Sequence, residues 1–473
     1  MPPIIGLANN GDFSRVAEPL GIFPPPEIGG AAFFGWIVPE YRFDPQRIWL
    51  HGLCCYSSET LFGVLSLPVG LLLSPPGRFE LEAIGVVNLL GFVAAFWLLL
   101  LALRPLPTAR RVFGGLLLLL IFTDVAYVSL FNSFYTEPAA LIFLLASLGL
   151  ALVLARRPDS PPWLPAGLFV CAALLATSRP QNAWLGVLFA ALGIRLTWHL
   201  PGVSRRRLAV AAAVLVSVVS LWYFRHIPGS LGRIHLYNAV FRELLVESPD
   251  PRRDLAELGL PPELDRLVGS SGFSRNAPIA DPGFQRVFFR RVGYGKLARF
   301  YATRPRRLWR AFERTAIHAL EMRPLGTGNY ARETGKPEGS LNESFAVWSR
   351  AKERLAPAGL WFVIAYLFTN LIAALALCLR ARDRAIRRSA EIWIAVVLVT
   401  AFQFSVSAVM DHESRRSLFL FNAAFDILFT ALCLAAASLR LSAGTVFASE
   451  RAGWEKDGRT ARPSGDGVFS PLS

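Results

Sequence analysis

Three short stretches carry side chains able to do acid–base or phosphate chemistry, two of them where an apolar run begins or ends. In ANNGDFSR (8–15) one carboxylate, Asp12, follows Asn-Asn-Gly. Taken alone it is an ordinary turn aspartate, because Asn, Gly and Asp all favour turns. In NSFYTEP (132–138), Tyr135 and Glu137 lie between two apolar segments. Alone they read as an interfacial tyrosine beside a solvated glutamate. In MDHESRRSLFLFN (410–422), Asp411, His412, Glu413, Arg415 and Arg416 crowd the end of a third apolar run. Arginine suits forked recognition of phosphate, and it also anchors helix ends at lipid headgroups. SRPQN (178–182) adds Arg179 and Gln181. Asp124 and Asp426 fall inside apolar runs, where a carboxylate is costly and faces the bundle interior or water.

The elements that must position these groups are membrane helices. The chain has 473 residues, 53% of them hydrophobic, and its mean hydropathy is +0.42. A spanning helix needs roughly 20 mostly apolar residues. Runs such as LEAIGVVNLLGFVAAFWLLLLAL (81–103) and IWIAVVLVTAFQFSVSAVM (392–410) are apolar all round, whereas a soluble core helix keeps a polar face. Roughly nine spans are predicted, at 82–103, 112–131, 138–155, 163–178, 183–200, 208–225, 357–379, 389–410 and 417–438. The segment SSETLFGVLSLPVGLLLS (57–74) holds a proline and precedes Pro-Pro-Gly. It is predicted as a surface or re-entrant helix.

The loops set the sides. Arg104, Arg110 and Arg111, then Arg156 and Arg157, then Arg205, Arg206 and Arg207, then Arg380 to Arg388 fall in alternate loops. The positive-inside rule makes that side cytoplasmic. Residues 1–58, NSFYTEP, SRPQN and the long segment 226–356 are then expected outside, in the periplasm of a bacterial inner membrane. Long loops translocate largely regardless of charge, so the arginines of 226–356 do not oppose this. The net charge of +15 belongs mostly to orientation, and nucleic acid is not expected as a partner. The expected organisation is an N-terminal membrane module (1–225), a small periplasmic domain (226–356), C-terminal membrane helices (357–439) and a polar, disordered cytoplasmic tail (440–473). Five cysteines form neither zinc spacing nor a disulfide framework.

Gathered on the outer face, Asp12, Glu137 and Asp411 meet Arg179, Arg415 and Arg416. That combination suits transfer from a membrane-bound, phosphate-linked donor. A carboxylate takes the proton of an acceptor hydroxyl. Arginines, or a divalent ion held by carboxylates, neutralise the departing phosphate.

The layout resembles the GT-C superfamily of membrane glycosyltransferases. The stretch from SSETLFGVLSLPVGLLL to FELEAIGVVNLLGFVAAFWLLLLALRPL is similar to the outer-loop helix and following span of protein mannosyltransferases and of the lipid A aminoarabinose transferase. NNGDFSRV, FNSFYTEP, YNAVFRELLVESPDP, LAELGLP and SRRSLFLFNAAFD resemble WsfD-like hexose transferases of bacterial glycan biosynthesis. The resemblance implies an all-α, polytopic, GT-C-like bundle that moves a hexose from a polyprenyl-phosphate sugar to a glycan or lipid acceptor. It implies Asp12 as base or metal ligand and Glu137 as a second carboxylate or metal ligand. The cation would be Mg or Mn. Arg415 and Arg416 would hold donor phosphate, with Tyr135, Arg179, Gln181 and His412 in the substrate site. The superfamily has a span before its first outer loop; this chain opens almost at that loop, so an upstream span is expected. A transporter or flippase of lipid-linked glycans, with Asp124 and Asp426 as a polar path, and an O-antigen ligase or polymerase remain the alternatives.

Overall fold

Apolar segments separated by short Arg-, Pro- and Gly-bearing turns can satisfy their backbone in lipid only as helices, and the computed structural model has that architecture. It describes residues 4–26, 35–48, 57–157, 160–198, 202–226, 229–274, 276–323, 327–410 and 416–438. Helix α1 (Ser14–Ala17) belongs to the first loop, and α2 (Glu59–Leu73) follows it. The first bundle half is α3 (Glu82–Leu103), α4 (Thr108–Phe122), α5 (Val125–Val128), α6 (Glu137–Arg156), α7 (Trp163–Ala176), α8 (Ala183–Thr197) and α9 (Val203–Arg225). Short helices α10 (Gly229–Asn238), α11 (Pro251–Glu257), α12 (Pro282–Phe288), α13 (Tyr294–Ala302), α14 (Pro305–His318) and α15 (Val347–Glu353) come next. The bundle closes with α16 (Gly359–Arg380), α17 (Arg384–Met410) and α18 (Phe419–Ser438).

Helix α6 is the axis: it packs against α3, α7, α8 and α17, and nearly all of its residues are buried. Its small residues permit this. A Cβ on Gly149 would come within 2.7 Å of Leu98 Cβ and 2.9 Å of the Leu98 carbonyl carbon, so α3 and α6 cross there nearly backbone to backbone. On the outside, α3 exposes Leu90, Val93 and Trp97, α9 exposes Val214, Leu215 and Trp222, and α16 exposes Trp361, Phe368 and Ile372. Apolar faces of that extent have no place in water. The protein is a predominantly helical, multi-pass membrane protein.

Three expectations change in detail. Among the described residues six helices are long and apolar enough to cross a membrane; α4, α7 and α8 have 15, 14 and 15 residues, about 21–23 Å at 1.5 Å per residue. The span expected over 112–131 is broken after Phe122. Asp124 caps α5 there and accepts from the backbone N–H groups of Ala126, Trp348 and Ser349, each at 2.9 Å. Finally, a small antiparallel sheet, β1 (Ile22–Phe23), β2 (Glu40–Phe43) and β3 (Arg78–Glu80), joins the first loop to the turn between α2 and α3. Helix α2 contains Pro68 and exposes Leu65, Leu71 and Leu72 while Phe62 is buried.

The arginine-bearing ends converge. Arg156 donates to the Ala102 carbonyl, Arg110 to Ser438 Oγ at 3.0 Å, and Arg195 pairs with Glu391 at 2.6 Å. At the opposite end the short helices cover the bundle. Tyr237, Phe241, Phe284, Phe288 and Phe300 form a core of their own, and the amphipathic α14 lies against α16 and α17. The tail at 440–473 and the cysteines at 54 and 55 lie outside the described residues; Cys171, Cys378 and Cys433 are free, half-buried thiols.

Candidate functional site

The two asparagines before Asp12 do the work of the turn. Asn9 Oδ1 accepts from Gly11 N at 2.7 Å and Phe13 N at 3.3 Å, and Asn10 Oδ1 accepts from Asp12 N at 3.2 Å. Gly11 has φ +98°, a left-handed conformation that other residues reach only at a cost. The Asp12 carboxylate is therefore not consumed as a cap. Phe13 anchors the turn, its ring edge-on to Tyr135 with centroids 4.7 Å apart. The Tyr135 hydroxyl donates to Ala8 O at 2.6 Å and accepts from Asn10 N at 3.0 Å.

Glu137 opens α6, where the helix N-terminus favours a carboxylate. It is 1% exposed. Arg416 forks onto it, Nε to Oε1 at 2.7 Å and Nη2 to Oε2 at 3.1 Å, and the third nitrogen, Nη1, reaches Asp12 Oδ2 at 2.6 Å. The same guanidinium lies 3.9 Å from the centre of the Tyr135 ring, a favourable cation–π placement. Arg179 Nη1 donates to Glu137 Oε1 at 3.2 Å and to Arg416 O at 2.9 Å, while Gln181 Nε2 donates to Ser417 O at 3.1 Å. The turn at 179–182 thus holds the backbone that carries Arg416. Arg15 pairs with Asp12 Oδ1 at 2.8 Å.

Two carboxylates face three guanidiniums, so the cluster carries one net positive charge. Burial pushes the Asp12 carboxyl up, but the Arg416 and Arg15 charges outweigh it and hold it below the usual carboxylate range. Burial pulls Arg179 down. For Arg416 burial acts the same way, yet Glu137, Tyr135 and Asp12 hold it above its ordinary value. The cluster forms the polar head of a cavity of about 630 Å³, whose walls are apolar: Trp184, Phe224, Phe402, Val406, Val409 and Met410.

Asp12, Tyr135, Arg179, Gln181 and Arg416 all line this cavity, and Glu137 lies behind them. His412 and Arg415 fall outside the described residues, as do Asp411 and Glu413. Arg15 and His235 are among the lining residues that the sequence reading did not single out. Arg15 stands inside the quoted ANNGDFSR motif, three residues after Asp12, and that spacing was the available signal. His235, on α10, has no motif to announce it.

The expectation of Asp12 and Glu137 as metal ligands does not fit this geometry. Both oxygens of each carboxylate are engaged by arginine, and three guanidiniums surround them, which repels a dication. No group of three or more His, Cys, Asp or Glu suited to a metal occurs among the described residues. The intramembrane carboxylates are equally committed. Asp124 caps backbone, and Asp426 binds Lys352 Nζ at 2.8 Å and the Tyr127 hydroxyl at 2.6 Å.

Fold and site together define a multi-pass helical membrane protein with an arginine–carboxylate cluster at the head of an apolar cavity. The chain belongs to the YfdI N-terminal transmembrane domain family, whose description matches residues 1–452. Among solved structures, the archaeal oligosaccharyltransferase AglB from Archaeoglobus fulgidus, in complex with an inhibitory peptide and a dolichol-phosphate, is similar over 100% of this chain at 12% identity and a TM-score of 0.39. This chain spans 49% of that one. No curated protein is significantly similar in sequence.

Proposed function

We propose that this chain is a GT-C-type membrane glycosyltransferase that moves a hexose from a polyprenyl-phosphate donor to a glycan or lipid acceptor during cell-surface glycan biosynthesis. The observation that carries the reading is the position of Arg416, bound at once to Asp12 and Glu137 at the head of an apolar cavity. Apolar walls suit a lipid tail, and three arginines suit its phosphate. The likeness of NNGDFSRV, FNSFYTEP and SRRSLFLFNAAFD to WsfD-like hexose transferases supports it from the sequence side. Arginine alternation supports an inner-membrane protein with this site on the periplasmic side.

In this scheme the arriving phosphate competes with Asp12 for Arg15 and Arg416. A freed Asp12 oxygen then accepts the proton of the acceptor hydroxyl. The hydroxyl oxygen bonds to the sugar's anomeric carbon as that carbon's bond to the phosphate oxygen breaks. The bonding pair leaves with the phosphate, and Arg416 and Arg179 stabilise the growing charge. Glu137 keeps Arg416 aimed. A flippase or an O-antigen ligase could bind the same lipid; the partners of Asp124 and Asp426 support a structural role for these two carboxylates over a polar path.

The purified protein, incubated with a panel of polyprenyl-phosphate hexoses and glycan or lipid acceptors, should release polyprenyl phosphate with one of them. Failure to turn over any donor, together with failure to bind polyprenyl phosphate itself, would refute the proposal.

A further inference from the structure

His235 takes no part in the scheme above. It projects from α10 into the cavity that also receives Asp12, Arg15, Arg179 and Arg416. Burial acts first on its ring, then the charges of Arg15 and Arg179, opposed by Asp12; no hydrogen bond from the described residues is among these influences. Together they push the imidazole down to about 4. Of the elements packed on α10, its helical continuation Ala239–Leu244 carries Arg242 and Glu243. Residues 392–410 of α17 and the turn Pro278–Ala280 contain no titratable side chain. Arg233 is the neighbouring charge on α10 itself, and Tyr294 and His226 line the same cavity.

A neutral imidazole offers one N–H donor and one acceptor nitrogen. Phosphate oxygens only accept hydrogen bonds, and three guanidiniums already supply donors for them. A sugar hydroxyl both donates and accepts, which is the complement of a neutral ring. His235 lines the same cavity as Arg15, Arg179 and Arg416, so a sugar attached to a phosphate held there lies in the cavity that His235 faces.

We propose that His235 is a specificity residue that hydrogen-bonds a hydroxyl of the sugar carried by the donor, in the same cavity as the arginines that hold the phosphate. The proposal rests on the lipid-phosphate reading. It assigns His235 to the sugar rather than to phosphate or to proton transfer.

The test measures binding of two lipids to the purified full chain in nanodiscs at pH 7: polyprenyl phosphate without sugar, and each polyprenyl-phosphate hexose of the panel. In wild type, one hexose-bearing lipid should bind more tightly than the others of the panel, which carry the same phosphodiester charge. His235→Ala should weaken that lipid about tenfold, the order expected for a lost hydrogen bond away from bulk water, and leave the bare lipid unchanged. His235→Gln, which keeps a donor and an acceptor, should recover most of the difference. The loss that His235→Ala causes in binding of the sugar-bearing lipid, a phosphodiester whose charge does not change in this range, should be constant from pH 8 to 6 and shrink as the pH falls towards 4. Equal weakening of both lipids by His235→Ala would make His235 a phosphate ligand and overturn the proposal. No weakening of either would make it a wall residue, with the same consequence. If bare polyprenyl phosphate binds and the hexose-bearing lipids all bind alike, the sugar role fails while the phosphate site stands. If wild type binds neither lipid, the lipid-phosphate reading falls and takes this one with it.

Discussion

The guanidinium of Arg416 lies forked on the carboxylate of Glu137, at 2.7 and 3.1 Å, with its remaining nitrogen 2.6 Å from Asp12. One side chain from the loop before α18 therefore joins the first loop to the first turn of α6. A forked, buried pair fixes the plane of the guanidinium as well as its position. Whatever binds in the cavity meets an arginine whose direction is already set.

Replacing Arg416 should expose that dependence. Losing a phosphate contact of this kind costs about 1.5–3 kcal/mol. Arg416→Ala should weaken polyprenyl-phosphate binding about tenfold or more, and Arg416→Lys should recover it only in part, because lysine has no fork. Unchanged binding in the alanine variant would leave Arg416 as a structural tie alone.

The Lys352–Asp426 pair should matter for stability and not for transfer. Both side chains are fully buried, and breaking such a pair from one side costs about 3–5 kcal/mol. Lys352→Met should therefore lower the melting temperature sharply. Lys352→Met combined with Asp426→Leu should restore most of it and turn over normally. A folded double variant without activity would revive the polar-path alternative.

Sidedness can be tested by cysteine labelling. The proposed topology puts Ser344 outside and Ser204, beside the arginines that open α9, inside. Cysteines at the two positions should react with an impermeant reagent from opposite sides of the membrane. Reaction from one side only would refute it.

Much of this was legible in the sequence for a physical reason. A carboxylate or an arginine at the end of an apolar run is conspicuous, so Glu137, Arg179 and Arg416 stood out, as Asp12 did by its turn, and the four meet in one cluster. Their pairing was not legible. The reading expected a carboxylate free for a proton or a metal, whereas Asp12 is held between Arg15 and Arg416. Nothing in the sequence distinguishes Arg415 from Arg416. Helices apolar all round show no buried face, so α6 could not be picked out as the axis. The break at Asp124 was hidden because its partners, Trp348 and Ser349, lie more than two hundred residues away. His235 was missed because an isolated histidine on an amphipathic stretch carries no spacing signal.

The low Asp12 pKa has a consequence for stability. A carboxyl held below its unfolded value contributes stability that is complete above the ordinary carboxylate pKa of about 3.9 and is lost as the pH falls through the folded value. The melting-temperature gap between wild type and Asp12→Asn should therefore be constant from pH 8 to 5 and close below about pH 4. A gap that closes between pH 7 and 5 would show that the arginines do not hold Asp12 ionised.

The transfer rate of Asp12→Asn tests the central claim most directly. Asparagine keeps the size and the turn preference of aspartate but cannot take up the acceptor's proton, and a general base typically contributes about 10²–10⁴-fold in rate. With the polyprenyl-phosphate hexose that the wild type turns over, the variant should bind donor at least as well, since Arg15 and Arg416 lose a competing carboxylate. Its transfer rate should fall by about a hundredfold or more. Turnover near the wild-type rate in a folded, donor-binding Asp12→Asn protein would contradict the account.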